Sequence, residues 1–254
     1  MRVGIKVGTS TLAHTGGRLN IRRTEQLVKV LSDLKNAGHE LILVSSGAIG
    51  LGAGKLQIAR PQDMPTKQAA AAVGQCELMY VYDRLFADYN HTVAQLLLTR
   101  EDFVDQTRLQ NLENTVFRLL ELGVIPIINE NDTVATEEIA VGDNDTMSAM
   151  VAKYVKGDLL ILLSDIDGLY TKDPHKYEDA VLIEEVRSIT PEIMALAGGA
   201  GSSLGTGGMT TKLSAAKIIM EAGGDMVIAN GQDPQVLYDI MEGKKLGTRF
   251  IGKA

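Results

Sequence analysis

Six short β-branched or Leu-rich segments alternate with longer stretches of helical spacing along these 254 residues. The segments are Arg2 to Val7, Glu40 to Val44, Thr92 to Leu97, Val124 to Ile128, Leu159 to Leu163 and Asp225 to Ala229. Several are apolar on consecutive positions, the mark of strands covered on both faces. Between them, residues 21 to 37 place Leu27, Leu31 and Leu34 on one stripe beside Val30 and Ala37, and Gly38 follows as a stop. Residues 67 to 88, 112 to 122, 145 to 156 and 210 to 222 have the same character, and Gly123 and Gly223 end two of them. Parallel strands need crossover helices, so this alternation predicts an α/β fold, a three-layer αβα sandwich with a mainly parallel central sheet. No Pro-rich linker, charge run or fixed-period repeat divides the chain, which is expected to form a single domain over residues 1–254. Gly198 to Gly208 and Thr171 to Asp179 are expected as surface loops.

Composition removes several functional classes. The 25 basic residues against 32 acidic ones give a formal charge of −7, which does not attract phosphate polymers. Aromatic residues make up 4% of the chain with no Trp, too few for a nucleic-acid stacking platform. A lone cysteine, Cys76, excludes an internal disulfide framework and a cysteine-based zinc site, and fits a reducing compartment. No apolar run approaches the ~18 residues a membrane span needs. Met1-Arg2 leads straight into the first strand, so no signal peptide is expected, and a cytoplasmic location is.

Ligands of such folds bind beyond the carboxyl ends of the strands. Those ends run into Gly8-Thr9-Ser10, Ser45-Ser46-Gly47-Ala48-Ile49-Gly50, Asn129-Glu130-Asn131-Asp132, Ser164-Asp165 and Asn230-Gly231. Five small and polar loops on one edge point to a ligand cleft. A Walker P-loop fails, because Gly54-Lys55 is followed by Leu56 and preceded by no glycine at the required position. The dinucleotide Gly-x-Gly-x-x-Gly pattern fails after the first strand as well.

Three constellations remain. Gly205-Thr206-Gly207-Gly208-Met209-Thr210-Thr211-Lys212 runs directly into a helix. It reads either as a phosphate cradle or as a flexible loop capped by Thr210 with Lys212 in solvent. Lys6 interrupts an otherwise apolar strand. It requires an anionic partner or ligand, or else lies on an edge strand with its ammonium group reaching water. Asn131-Asp132 with Gly142-Asp143-Asn144-Asp145 lacks the ligand order of a calcium loop. Asp143 or Asn144 could cap the following helix, or the carboxylates could hold the two lysines or grip an ammonium group. Physical reading therefore ends at an anion site and a cation-gripping site, with phosphoryl transfer as the chemistry that would use both. His14, His39, His91 and His175 receive no role.

These segments, together with Lys67-Gln68-Ala69-Ala70-Ala71-Ala72-Val73-Gly74-Gln75, Val141-Gly142-Asp143-Asn144-Asp145 and Gly168-Leu169-Tyr170, resemble the amino acid kinase family over essentially the whole chain. The Asn-Glu-Asn-Asp and Val-Gly-Asp-Asn-Asp segments resemble most specifically its branch acting on glutamate. The resemblance implies transfer of the γ-phosphoryl group of ATP to the side-chain carboxylate of L-glutamate, the opening step of proline biosynthesis. Lys6, Lys212 and Asp145 are then the catalytic set, the lysines neutralising the phosphoryl group and Asp145 orienting them. The nucleotide site comprises Lys6, Ser164, Asp165, Thr206, Gly207, Gly208, Met209, Thr210, Thr211 and Lys212. Ser46, Asp132 and Asn144 match substrate-contacting positions. Mg²⁺ is implied on the ATP phosphates, with no protein metal ligand assigned.

The resemblance further implies L-proline as feedback inhibitor, a homo-oligomer (dimer or tetramer), an acceptor lobe about 1–157 and a nucleotide lobe about 158–254. Many family members continue into a small C-terminal domain of the PUA type, which is not expected here because the chain ends soon after Gly247-Thr248-Arg249-Phe250. Other acceptors of the same fold are N-acetylglutamate, carbamate, nucleoside monophosphates and isoprenoid phosphates. The acidic acceptor loops suit an ammonium-bearing acceptor better than a phosphorylated one. A non-catalytic sensor of glutamate or proline is the reading from a different class.

Overall fold

The structure, a computed structural model, describes residues 1–14, 16–135, 144–197 and 208–252. Strand β1 (Arg2–Val7) leads through α1 (Thr9–Leu12) to α2 (Ile21–Asn36) and β2 (Glu40–Ser45). Helices α3 (Ala48–Leu56) and α4 (Met64–Ala87) pair before β3 (Val93–Leu98). Next come α5 (Glu101–Val104), α6 (Gln106–Glu121), β4 (Ile125–Glu130), α7 (Asn144–Tyr154) and β5 (Leu159–Ser164). The remainder holds β6 (Glu185–Val186), α8 (Pro191–Leu196), α9 (Met209–Glu221), β7 (Asp225–Asn230), α10 (Val236–Met241) and β8 (Thr248–Phe250).

The strands form one sheet in the order β3-β4-β2-β1-β5-β7-β8-β6. Neighbours are parallel except β7 and β8, which run antiparallel. The period-2 alternation of strand side chains then sorts the core into two layers. Val3, Ile5 and Val7 of β1, with Leu41 and Leu43 of β2, pack under α2, α4 and α10 through Leu27, Leu31, Leu78, Tyr82, Phe86 and Ile240. On the opposite face, Ile42, Val44 and Ile128 meet Val116 of α6 and Val151 of α7. Leu160, Leu162, Met226 and Ile228 meet Ala149 of α7 and Leu213 and Ile219 of α9. Helices therefore cover both faces, and the three-layer expectation holds.

All six expected strands are present, with ends shifted by no more than two residues. β6 and β8 were not expected, because two- and three-residue strands with a charged member carry no readable period. A larger departure is α3. The glycines of Gly47 to Gly54 read as a loop, yet Ala48–Leu56 is helical. Glycine weakens a helix by about 1 kcal/mol per residue relative to alanine, but here it allows close packing. A Cβ on Gly52 would sit 1.8 Å from the carbonyl oxygen of Ala70, and one on Gly74 would sit 1.8 Å from that of Ala48. Tertiary packing thus overrides local propensity. Gly47, immediately before the helix, has φ 100°, a left-handed conformation that favours glycine. Among the described residues no helix is long and apolar enough to cross a membrane.

Because the α3–α4 contact leaves no room for a methyl group, Gly74→Ala is expected to cost about 3 kcal/mol, at the upper end of overpacking penalties. A lowered urea midpoint with unchanged far-UV circular dichroism is the expected signature; a midpoint within error of the parent would contradict this packing.

Candidate active site

Strand parity separates Lys6 from its two chain neighbours. Ile5 and Val7 face α2 and α4, whereas Lys6 faces the side covered by α7. β1 lies between β2 and β5, so the edge-strand reading of Lys6 is corrected. Its ammonium group instead meets the carboxylate of Asp145, in the first turn of α7, with Nζ 2.7 Å from Oδ1. Lys212, in the first turn of α9, reaches the same carboxylate from the other side, with Nζ 3.0 Å from Oδ2. Thr211 Oγ1 lies 3.1 Å from that oxygen and 2.8 Å from the Gly208 carbonyl.

The side chain of Asp145 is 1% exposed, that of Lys6 12% and that of Lys212 7%. A solvated Lys212 is therefore also corrected, and Thr210 is not the cap, since Gly208 occupies that position. Burial pushes the Asp145 carboxyl upward, but the fields of Lys6 and Lys212 and their hydrogen bonds outweigh it and hold the group at about 2. A carboxylate at the start of α7 is also favoured by the helix dipole, whereas a lysine at the start of α9 is not. Two cations around one anion leave a net positive charge at the carboxyl end of the sheet, suited to an anionic group. Gly8 lies beside this ammonium group, where a Cβ would come within ordinary contact distance, 3.8 Å, of Lys6 Nζ.

On the other side of β1, amides and hydroxyls replace the charges. Ser46 is tied to β1 by a 3.2 Å bond from its N–H to the Val7 carbonyl. Asn144 Nδ2 donates to Ser46 Oγ at 2.7 Å, to the Ser45 carbonyl at 3.3 Å and to Asn129 Oδ1 at 3.3 Å. Asn144 belongs to α7 itself and its side chain bridges to the neighbouring strands, so its reading as a helix cap is corrected. Its Oδ1 is buried and without a hydrogen-bond partner among the described residues. Asp132 follows β4, and burial alone raises its carboxyl to about 6.

At the end of β5, Ser164 Oγ lies 3.2 Å from Asp165 Oδ1 and the Ser164 carbonyl accepts from Gly231 N–H at 2.8 Å. Asn230 and Tyr170 both bond Asp167, at 2.7 and 2.9 Å. The structure thus brings Lys6, Lys212, Asp145 and Thr211 into one cluster and links Ser46 to Asn144. Gly208, Met209 and Thr210 open α9, with Met209 buried and Thr210 exposed. Thr206, Gly207, Asp143 and most of the expected Gly198 to Gly208 loop lie outside the described residues. Sequence reading gave no individual role to Asn129, Gln75 or Asp167, although Asn129 opens the Asn-Glu-Asn-Asp segment at the end of an apolar strand and Gln75 closes a segment that carries the resemblance. A cavity of about 510 Å³ lined by Arg22, Arg23 and Gln232 contains none of these groups.

The amino acid kinase family model matches residues 1–230. Glutamate 5-kinase from Caldanaerobacter subterraneus is 54% identical over 99% of this chain and 68% of its own length. The glutamate 5-kinase from Clostridium perfringens is 51% identical over 99% of this chain and 96% of that protein. That from Listeria monocytogenes is 54% identical over 99% and 93%. Carbamate kinase from Giardia lamblia bound to AMP-PNP superimposes with a TM-score of 0.70 at 18% identity, covering 99% of this chain and 98% of its own. UMP kinase from Bacillus anthracis does so at 0.66 and 19%, covering 100% and 96%. At those identities the two structures speak to the fold alone.

Removing the shared carboxylate takes the anion from between two largely buried cations. Asp145→Asn is expected to lower stability at pH 7 by about 3–5 kcal/mol, as for other broken buried pairs. The folded carboxyl sits below its unfolded value of about 3.9, so its contribution is present above that value and is lost as pH falls through about 2. Urea midpoints of the parent and variant should therefore converge as pH falls below about 4; a gap constant with pH would refute the charge assignment.

Proposed function

The chain belongs to the amino acid kinase family, and on that premise we propose that it transfers the γ-phosphoryl group of ATP to the side-chain carboxylate of L-glutamate. The product, L-glutamyl 5-phosphate, opens proline biosynthesis. The observation that carries this reading is the buried Lys6–Asp145–Lys212 cluster at the carboxyl end of the sheet. A carboxylate oxygen attacks the γ-phosphorus, the bond to the β,γ-bridging oxygen breaks, and ADP departs with that electron pair. The nucleophile is already ionised at neutral pH, so no proton has to move and no general base is required.

Catalysis then consists of alignment and charge stabilisation. Lys6 and Lys212 approach the transferring group from a strand and a helix, and Asp145 positions both ammonium groups without exchanging a proton. Mg²⁺ would accompany the ATP phosphates and neutralise part of their charge, with no protein ligand assigned to it. Ser164, Asp165 and the residues from Thr206 to Thr211 hold the nucleotide, in a lobe of about residues 158–254. The acceptor occupies the lobe of about residues 1–157.

The acceptor groups suit an amino acid. Asn144 Oδ1 and the Asp132 carboxylate are acceptors for an α-ammonium group. Ser46 and the start of α3, whose cap has no side-chain hydrogen bond, offer donors to a carboxylate. L-Proline carries the same two α-groups and acts as a feedback inhibitor at this surface. A cytoplasmic location is in keeping with the enzyme's single free cysteine and its need for ATP, and assembly as a homo-oligomer is part of the same proposal.

Turnover is measured by trapping the acyl phosphate with hydroxylamine, in parallel with N-acetyl-L-glutamate, which lacks the ammonium group. Glutamate should be consumed and N-acetylglutamate ignored. Lys6→Ala and Lys212→Ala should each lower kcat by about 10²–10³, the scale for removing one preorganised charge donor; near-normal turnover in either would refute the mechanism. In the free enzyme Asp132 gains a proton as pH falls through about 6 and loses the charge that holds the ammonium group. Glutamate kcat/KM should therefore drop below about pH 6, and Asp132→Asn should abolish that inflection; an inflection unchanged in the variant would assign it elsewhere.

A further inference from the structure

Gln75 projects inward from the middle of α4 and is 8% exposed. Its neighbour Gly74 touches the carbonyl of Ala48, the first residue of α3, so the base of the Gln75 side chain is fixed relative to Ser46 and Gly47. From there Gln75 Oε1 accepts a 2.8 Å hydrogen bond from Asn129 Nδ2, inside a region where Asn129 is 2% exposed.

The Glu130 backbone N–H sets which way round the Asn129 amide lies, and Gln75 receives the Nδ2 so directed. With its Nδ2 directed at Gln75, its Oδ1 accepts from the Glu130 backbone N–H at 2.9 Å and from Asn144 Nδ2 at 3.3 Å. Turned over, the amide would oppose donor to donor at both contacts. Asn144 Nδ2 in turn reaches Ser46 Oγ, which leaves Asn144 Oδ1 as the unpaired acceptor among the described residues. Gln75 is thus the far end of an amide relay whose near end is the acceptor surface.

Stability alone does not account for a glutamine here. Its Nε2 is buried and has no hydrogen-bond partner among the described residues. An unsatisfied buried group is destabilising, and apolar side chains at both 75 and 129 would avoid that cost without leaving Asn129 Nδ2 unpaired, so the glutamine–asparagine pair is not explained by stability. We propose that Gln75 is a positioning residue for the acceptor, setting Asn144 and Ser46 through Asn129. This rests on the reading of glutamate as the acceptor.

The test uses Gln75→Met, which removes the hydrogen-bonding oxygen at similar volume, and Gln75→Asn, which withdraws the amide by one methylene. Both are assayed beside the parent by hydroxamate trapping, varying glutamate and MgATP separately and recording the thermal midpoint. KM for glutamate is expected to rise about tenfold or more in both, the scale of one lost hydrogen bond, with KM for ATP close to that of the parent. No turnover of glutamate by the parent would overturn the acceptor reading itself. Parent turnover with an unchanged glutamate KM in the variants would overturn the positioning role alone. Equal losses for both substrates, or failure of both variants to fold, would make Gln75 a packing residue and likewise overturn it.

Discussion

One buried carboxylate, shared between two lysines that lie far apart in the chain, is the constraint around which the rest of the site is organised. Asp145 brings together a central strand and the first turns of two helices. Placing a lysine on a two-sided central strand, and another at the positive end of a helix, are each unfavourable by themselves. The shared anion offsets both, and its own charge is kept by them against the effect of burial. Removing Asp145 takes the shared anion from between two cations in a region of low dielectric, whereas removing either lysine leaves the other paired with the carboxylate. The cluster is thus an obligation of the fold as well as a source of positive potential at the sheet edge.

The two sides of β1 divide the chemistry. Toward β5 and β7 lie the charged cluster and the loops suited to a nucleotide. Toward β2 and β4 lie Ser46, Asn129 and Asn144, neutral groups whose hydrogen bonds are directional. In the proposed reaction the charges would stabilise a migrating phosphoryl group, while the directional amides would position the acceptor. The close α3–α4 contact supports the second half, because it holds the Ser46 turn and the Gln75 side chain in one rigid frame.

Much of this was legible in the sequence. Consecutive apolar strands alternating with helices determine the sheet and its covering layers. Lys6 and Lys212 stood out because each breaks a local rule, and such conflicts collect at functional sites. Their common partner was legible only through the family resemblance, which gave Asp145 as the carboxylate orienting both, since nothing local links it to a strand near the start of the chain. The same holds for Asn144, whose side chain looks like a cap from its position and becomes a bridge only once β2 and β4 lie beside α7. The glycines of α3 misled because helix propensity is a local quantity and close packing is not. Gln75 closed an Ala-rich segment that carried the family resemblance without a role of its own, and its pairing with Asn129 is what suggests one.

In the proposed mechanism the two lysines act on the phosphoryl group in flight rather than on bound nucleotide in general. A complex of MgADP with aluminium fluoride and glutamate mimics the planar group between its two oxygens, and its affinity can be measured by titration calorimetry. If the account holds, Lys6→Ala or Lys212→Ala weakens this complex by about a hundredfold, in line with loss of one charge donor, while MgADP alone binds within a few-fold of the parent. Equal weakening of both complexes, or none in either, would contradict it.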